Sequence, residues 1–187
     1  GYISISMFTS SSYSQFKTKL KELEKGNIEG LVIDVRDNGG GYLTSVTDIT
    51  SLFLKKGQTI YQLESGTKRE KIKDTTKESR TYPIAVIINN ESASASEILA
   101  AAVKESYHGY VVGTKTYGKG VIQSIFSLKD GSGIKLTTEE YFSPKHNTIN
   151  KVGIEPDYEV ELPEGKSLYA IEDKDDTQLQ KAIELLK

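Results

Sequence analysis

Apolar residues recur along this chain in two rhythms. The first is a short run rich in β-branched residues: Leu31–Val35 after Gly30, Ile84–Ile88 after Pro83, and Val111-Val112 inside a GYVVG segment. Such runs are too short for helices and read as buried strands. The chain opens on a strand that alternates, with Ser4 and Ser6 between Tyr2, Ile3, Ile5, Met7 and Phe8. The second rhythm is helical. Phe16, Leu20 and Leu23 share one face of a helix that Thr9–Tyr13 caps and Gly26 stops. Val46, Ile49, Leu52 and Phe53 do the same ahead of Gly57. Glu97–Val103 predicts a third helix and Gln178–Leu186 a last amphipathic one. Two hairpins are expected, one around Ser65-Gly66 and one around Asp130–Gly133. Strands and helices alternate through the first two-thirds and hairpins follow. That order predicts an α/β core containing parallel strands, with an antiparallel extension.

The stretch from Pro83 to Ser106 is central to this pattern. A buried strand runs into Asn89-Asn90, then a Ser/Ala run, then a helix. Ser92, Ser94 and Ser96 therefore fall where strand becomes helix, and a helix N-terminus offers unbonded N–H groups to a developing negative charge. A purely structural reading competes, because Ser94 and Glu97 have the spacing of a capping box.

Composition narrows the chemistry. A net charge of −2 gives no bulk attraction to nucleic acid or anionic membrane. The absence of Cys excludes disulfides and thiolate catalysis. The acidic residues are scattered and the two histidines lie far apart, so no metal cluster emerges. No apolar run reaches membrane-spanning length.

A serine nucleophile needs a base. His108 and His146 both fall in polar turns. Lys119, between Gly118 and Gly120, is the better candidate, since a lysine enclosed by closely approaching backbone is favoured in its neutral form. An ordinary turn lysine is the alternative. Gln123 would share a side with Lys119 if the segment is extended. Gly113–Gly120 also matches a phosphate-binding loop except at its last position, where Gly120 replaces Ser or Thr, and a strand rather than a helix is expected next. The DNGGG loop, Asp37–Gly41, could present a backbone N–H to an oxyanion, cradle a phosphate, or simply turn.

Five segments in order, GYISISMF, GLVIDVRDNGGGYL, the ESASASEILAAAV run, VVGTKTYGKGVIQ, and GIKLTTEEYFSP with GIEPD, together resemble the C-terminal processing peptidases, the tail-specific serine proteases of family S41. The resemblance covers about residues 1–160. It implies a ClpP/crotonase-like spiral core with a β-rich extension. It places the nucleophile at Ser94, the general base at Lys119, assisting residues at Glu97 and Gln123, and oxyanion donors at the backbone N–H of Ala95 and Gly40. Ser94 should then begin a helix, with Lys119 at roughly 2.6–3.2 Å, or further in an inactive state.

No cofactor is implied. The implied partners are polypeptides with free C-termini, and a PDZ domain is expected elsewhere in the full-length chain. An extracytoplasmic setting is also implied. Asp37 and Gly39 stand where the family often has Asn and Pro. The expected organisation is a protease core over 1–163, followed by an acidic linker and helix over 164–187. Two rival readings remain: a non-catalytic binding protein on the same fold, and a short-peptide protease of a related branch.

Overall fold

The computed structural model describes residues 1–187. In chain order the elements are β1 (Tyr2–Ser4), α1 (Ser12–Lys25), β2 (Leu31–Asp34), α2 (Leu43–Ser51), β3 (Thr59–Ser65), β4 (Lys68–Lys73), β5 (Ile84–Ile88), α3 (Ala95–Ala102), β6 (Tyr110–Gly113), β7 (Val121–Ser127), β8 (Gly133–Phe142), β9 (Tyr158–Glu159) and α4 (Thr177–Leu185). They form two sheets. Strands β1-β2-β5-β6-β9 pair in parallel, and β4-β3-β8-β7 pair antiparallel. This is the mixed α/β architecture expected from the alternation of strands and helices.

The apolar runs are continuous because the parallel sheet is covered on both faces. Leu31, Ile33, Val35, Ile84, Val86, Ile88 and Val111 face the main core, against α1–α3 and the base of the antiparallel sheet. Val32, Ala85, Ile87 and Val112 face the other way and pack against Leu179 and Ala182 of α4. Burying each such Val, Ile or Leu side chain contributes roughly 1.5–3 kcal/mol. The C-terminal helix is therefore the cover of a sheet face that would otherwise be open. Two features had no signal in the apolar pattern. One is the two-residue strand β9. The other is a π-helical turn over Val103–Tyr107, which carries α3 on to a left-handed His108.

A buried ion network fixes α4 to the end of β2. The Arg36 guanidinium donates to Asp34, meets Asp176 at 2.8 Å and donates to Gln178 Oε1 at 3.0 Å. Burial alone would lower its pKa, but Asp34 and Asp176 outweigh burial and hold it above its ordinary value. Asp176 also caps α4, accepting the N–H groups of Gln178 and Leu179. Arg36 immediately precedes the glycine-rich loop, so the network anchors the residue that leads into it.

Replacing Arg36 removes the one positive charge between two buried carboxylates. Arg36→Met should cost about 3–5 kcal/mol of stability, read from urea unfolding at neutral pH. The deficit should narrow in acid, where the carboxylates can take protons. An unchanged unfolding midpoint at neutral pH would show that the network does not hold the fold.

Candidate active site

The turn after β5 separates three serines that look alike in sequence. Ser92 is fully buried; its hydroxyl donates to Val35 O at 2.7 Å and accepts Asn89 N–H at 2.9 Å. Ser96 is also fully buried and donates to Asn38 O at 2.8 Å. Both hydroxyls hold the turn against β2 and the loop that follows it. Ser94 alone is partly exposed, at the N-cap of α3, with φ 58° and ψ −116°. Positive φ in a non-glycine residue costs on the order of 1–3 kcal/mol. It sets the serine on a sharp strand-to-helix turn, of the kind that lifts a nucleophile clear of its surroundings.

Glu97 holds this turn to the lysine loop. Its side chain is fully buried. One carboxylate oxygen accepts Ser94 N–H at 2.8 Å and Lys119 N–H at 2.9 Å. The other accepts the Thr116 hydroxyl at 2.6 Å and Gly118 N–H at 2.8 Å. The capping-box reading of Ser94 and Glu97 is therefore correct as far as it goes, and the same carboxylate also reaches across to a second segment. The loop from Gly113 to Gly120 does cradle an anion, but that anion is the protein's own glutamate. It leads into β7 rather than a helix, which removes the nucleotide-binding reading. Gly120 is required by crowding: a Cβ there would lie 2.4 Å from Asn150 N.

Lys119 and Gln123 border the same cavity as Ser94 and Ala95, a space of about 280 Å³ that Gly41 and Tyr141 also line. The groove between β1 and α1 is larger, but the serine turn, the lysine and unbonded amides converge only here. The expected enclosure of Lys119 is not found. Its backbone is tied to Glu97, whereas the side chain is exposed, and no hydrogen bond joins it to Ser94. The glycines around it serve backbone approach to residues 150–153 and do not bury its amine.

The two histidines lie elsewhere. His108 ends the helical stretch that Ser94 begins. His146 stacks on Phe142 and meets Glu64 at 3.0 Å. Neither lines the cavity.

The glycine-rich loop packs directly on the serine turn. A Cβ on Gly40, whose φ is +103°, would sit 2.6 Å from Ser94 Cβ and 2.8 Å from Ala93 O. The Gly40 amide, the expected oxyanion donor, is here hydrogen-bonded within the loop: Gly40 N–H donates to Asn38 Oδ1 at 2.8 Å. Asn38 is fully buried and also donates from Nδ2 to Ile5 O, while its carbonyl accepts Ala93 N–H. The neighbouring Gly41 is bridged to Phe8 through Gly40 O and Tyr42 N–H, which leaves its own N–H without an acceptor in the protein. Ala95 N–H, in the first turn of α3, is likewise unbonded. Two free amides thus lie on one cavity beside Ser94, and one of them is a residue further along than the sequence indicated.

Glu97→Gln would replace one acceptor oxygen with an NH2 group facing two donors. It should cost about 2–3 kcal/mol of stability in denaturant unfolding and free the Thr116–Lys119 loop to faster amide exchange. Exchange unchanged in that loop would mean that Glu97 does not tether it.

Against this geometry, residues 1–160 match the model of peptidase family S41. The chain is 46% identical over 165 residues to the carboxy-terminal processing protease CtpB of Bacillus subtilis, covering 88% of this chain and 34% of that protein. It is 38% identical over 186 residues to a carboxyl-terminal-processing protease of Synechocystis, covering 100% of this chain and 43% of that one. The photosystem II D1 C-terminal processing protease superposes with a TM-score of 0.82 at 32% identity, over 87% of this chain and 43% of the other. This chain therefore spans 34–43% of the length of these three relatives, and it belongs to peptidase family S41.

Proposed function

We propose that this chain forms the proteolytic core of a serine endopeptidase that cleaves polypeptides near their C-termini. The observation that carries the reading is the partly exposed Ser94 on its strained turn, sharing one cavity with Lys119 and two unbonded amides. Neutral Lys119 takes the proton of Ser94 Oγ as the oxygen attacks the scissile carbonyl carbon. Ala95 N–H and Gly41 N–H receive the oxyanion. The protonated lysine then gives its proton to the departing amine and the C–N bond breaks. Water attacks the acyl ester and loses a proton to Lys119, which returns it to Ser94 Oγ as the ester C–O bond breaks and the new C-terminal carboxylic acid departs.

Gln123, which borders the same cavity, would hydrogen-bond the lysine amine once substrate encloses it, and Glu97 sets the spacing between the two loops. A polypeptide lying in the cavity would cover the exposed lysine and strip its water, which favours the neutral form and shortens the open resting geometry. A PDZ domain elsewhere in the full-length chain would capture the substrate's C-terminal residues by strand addition. The names of the Bacillus subtilis and Synechocystis relatives and the retention of Ser94, Lys119 and Gln123 on one cavity support this reading over a non-catalytic one.

The test is hydrolysis of an unstructured polypeptide with an apolar C-terminus by the protein at its natural full length. Ser94→Ala and Lys119→Ala should each reduce kcat by about 10³-fold or more, while His108→Ala and His146→Ala should leave it intact. A rate that survives Ser94→Ala or Lys119→Ala would overturn the assignment.

A further inference from the structure

Tyr141 has the one buried hydroxyl on this cavity that the mechanism above does not use. The residue lies near the end of β8 and is 1% exposed. Its backbone is well placed: Tyr141 N–H donates to Gly120 O at 2.8 Å, directly after the lysine, and it pairs with Leu63 of β3. Its side chain borders the cavity with Ser94 and Lys119. Yet its hydroxyl is buried with no hydrogen-bond partner of normal geometry. Ser94 lines the same small cavity. A buried hydroxyl left unpaired destabilises a fold, so a phenylalanine would serve the fold better at this position. A group kept at such a cost beside a reacting atom invites a chemical explanation.

Resting on the reading of Ser94 as the nucleophile, we propose that Tyr141 is a further catalytic residue, whose hydroxyl donates a hydrogen bond to Ser94 Oγ as the serine is activated. A hydroxyl has one proton to give and two lone pairs to receive with. Donation from Tyr141 occupies one lone pair, so the serine's own proton is left to point at Lys119. As that proton departs, negative charge grows on Oγ, and a donor on the same cavity is drawn to it. Burial and the nearby Glu97 charge raise the phenol's pKa, against a smaller opposing influence from Ser94, so the group remains a donor across the working range. The hydrogen bond is absent at rest and forms as charge develops, which is the condition for lowering a barrier rather than a ground state.

The experiment measures the rate at which a fluorophosphonate labels Ser94 in the full-length protein. In that reaction the serine Oγ–P bond forms, the P–F bond breaks, and fluoride leaves with the serine proton. It reads nucleophile activation without peptide capture. Tyr141→Phe should slow labelling by roughly 10- to 100-fold, the worth of a hydrogen bond to a developing charge, while its unfolding midpoint stays equal to wild type or rises. Labelling at the wild-type rate overturns the proposal. So does a fall in labelling accompanied by a lower unfolding midpoint, which is the signature of a structural role. If wild type is labelled no more than Ser94→Ala, the assignment of the nucleophile fails, and the role of Tyr141 fails with it.

Discussion

The fully buried carboxylate of Glu97 is the constraint on which the site depends. A charge removed from water is expensive unless every lone pair is met. Here four donors meet it, and they come from two segments that the sequence separates by more than twenty residues: Ser94 on one side, Thr116, Gly118 and Lys119 on the other. Neither segment can satisfy the carboxylate alone. The cost of burying Glu97 is thereby converted into a fixed relation between the serine turn and the lysine loop, set by backbone N–H groups whose geometry varies little. The side chains that would carry chemistry are left out of this clasp and remain free to respond to a substrate.

A second fixed relation crosses the first. Asn38 and Gly40 press the glycine-rich loop onto the serine turn, and Arg36, just before them, is held by Asp176 of the C-terminal helix. Helix α4 is remote from the cavity in sequence, but it covers one face of the parallel sheet and anchors the strand that feeds the loop. Sheet, helix and loop thus form one support for the two free amides.

Much of this was legible in the sequence because it is local. The run Ile84–Ile88, the hairpin around Asp130–Gly133 and the helix expected over Glu97–Val103 each follow from patterns within a dozen residues; the structure forms the first two and starts the helix two residues earlier, at Ala95. What escaped depends on contacts between distant segments. No local signal could show that Gly40 N–H would be taken by Asn38, or that Gly41 would keep its own free. The lysine between two glycines suggested burial of the side chain, whereas the crowding belongs to the backbone at Gly118 and Gly120. Tyr141 closes a largely exposed strand, and only its depth beside Ser94 distinguishes it from an ordinary core tyrosine.

The positive φ of Ser94 also determines what a knockout at this position measures. Alanine carries a Cβ and meets the same steric penalty as serine in that region of backbone space, so Ser94→Ala removes the hydroxyl and keeps the tension of the turn. Glycine occupies the region without penalty, so Ser94→Gly would relax the turn as it removes the hydroxyl, mixing two effects in one variant. The conformation that exposes the serine also makes position 94 a place where the fold gives up stability, and selection for robustness alone would favour glycine there.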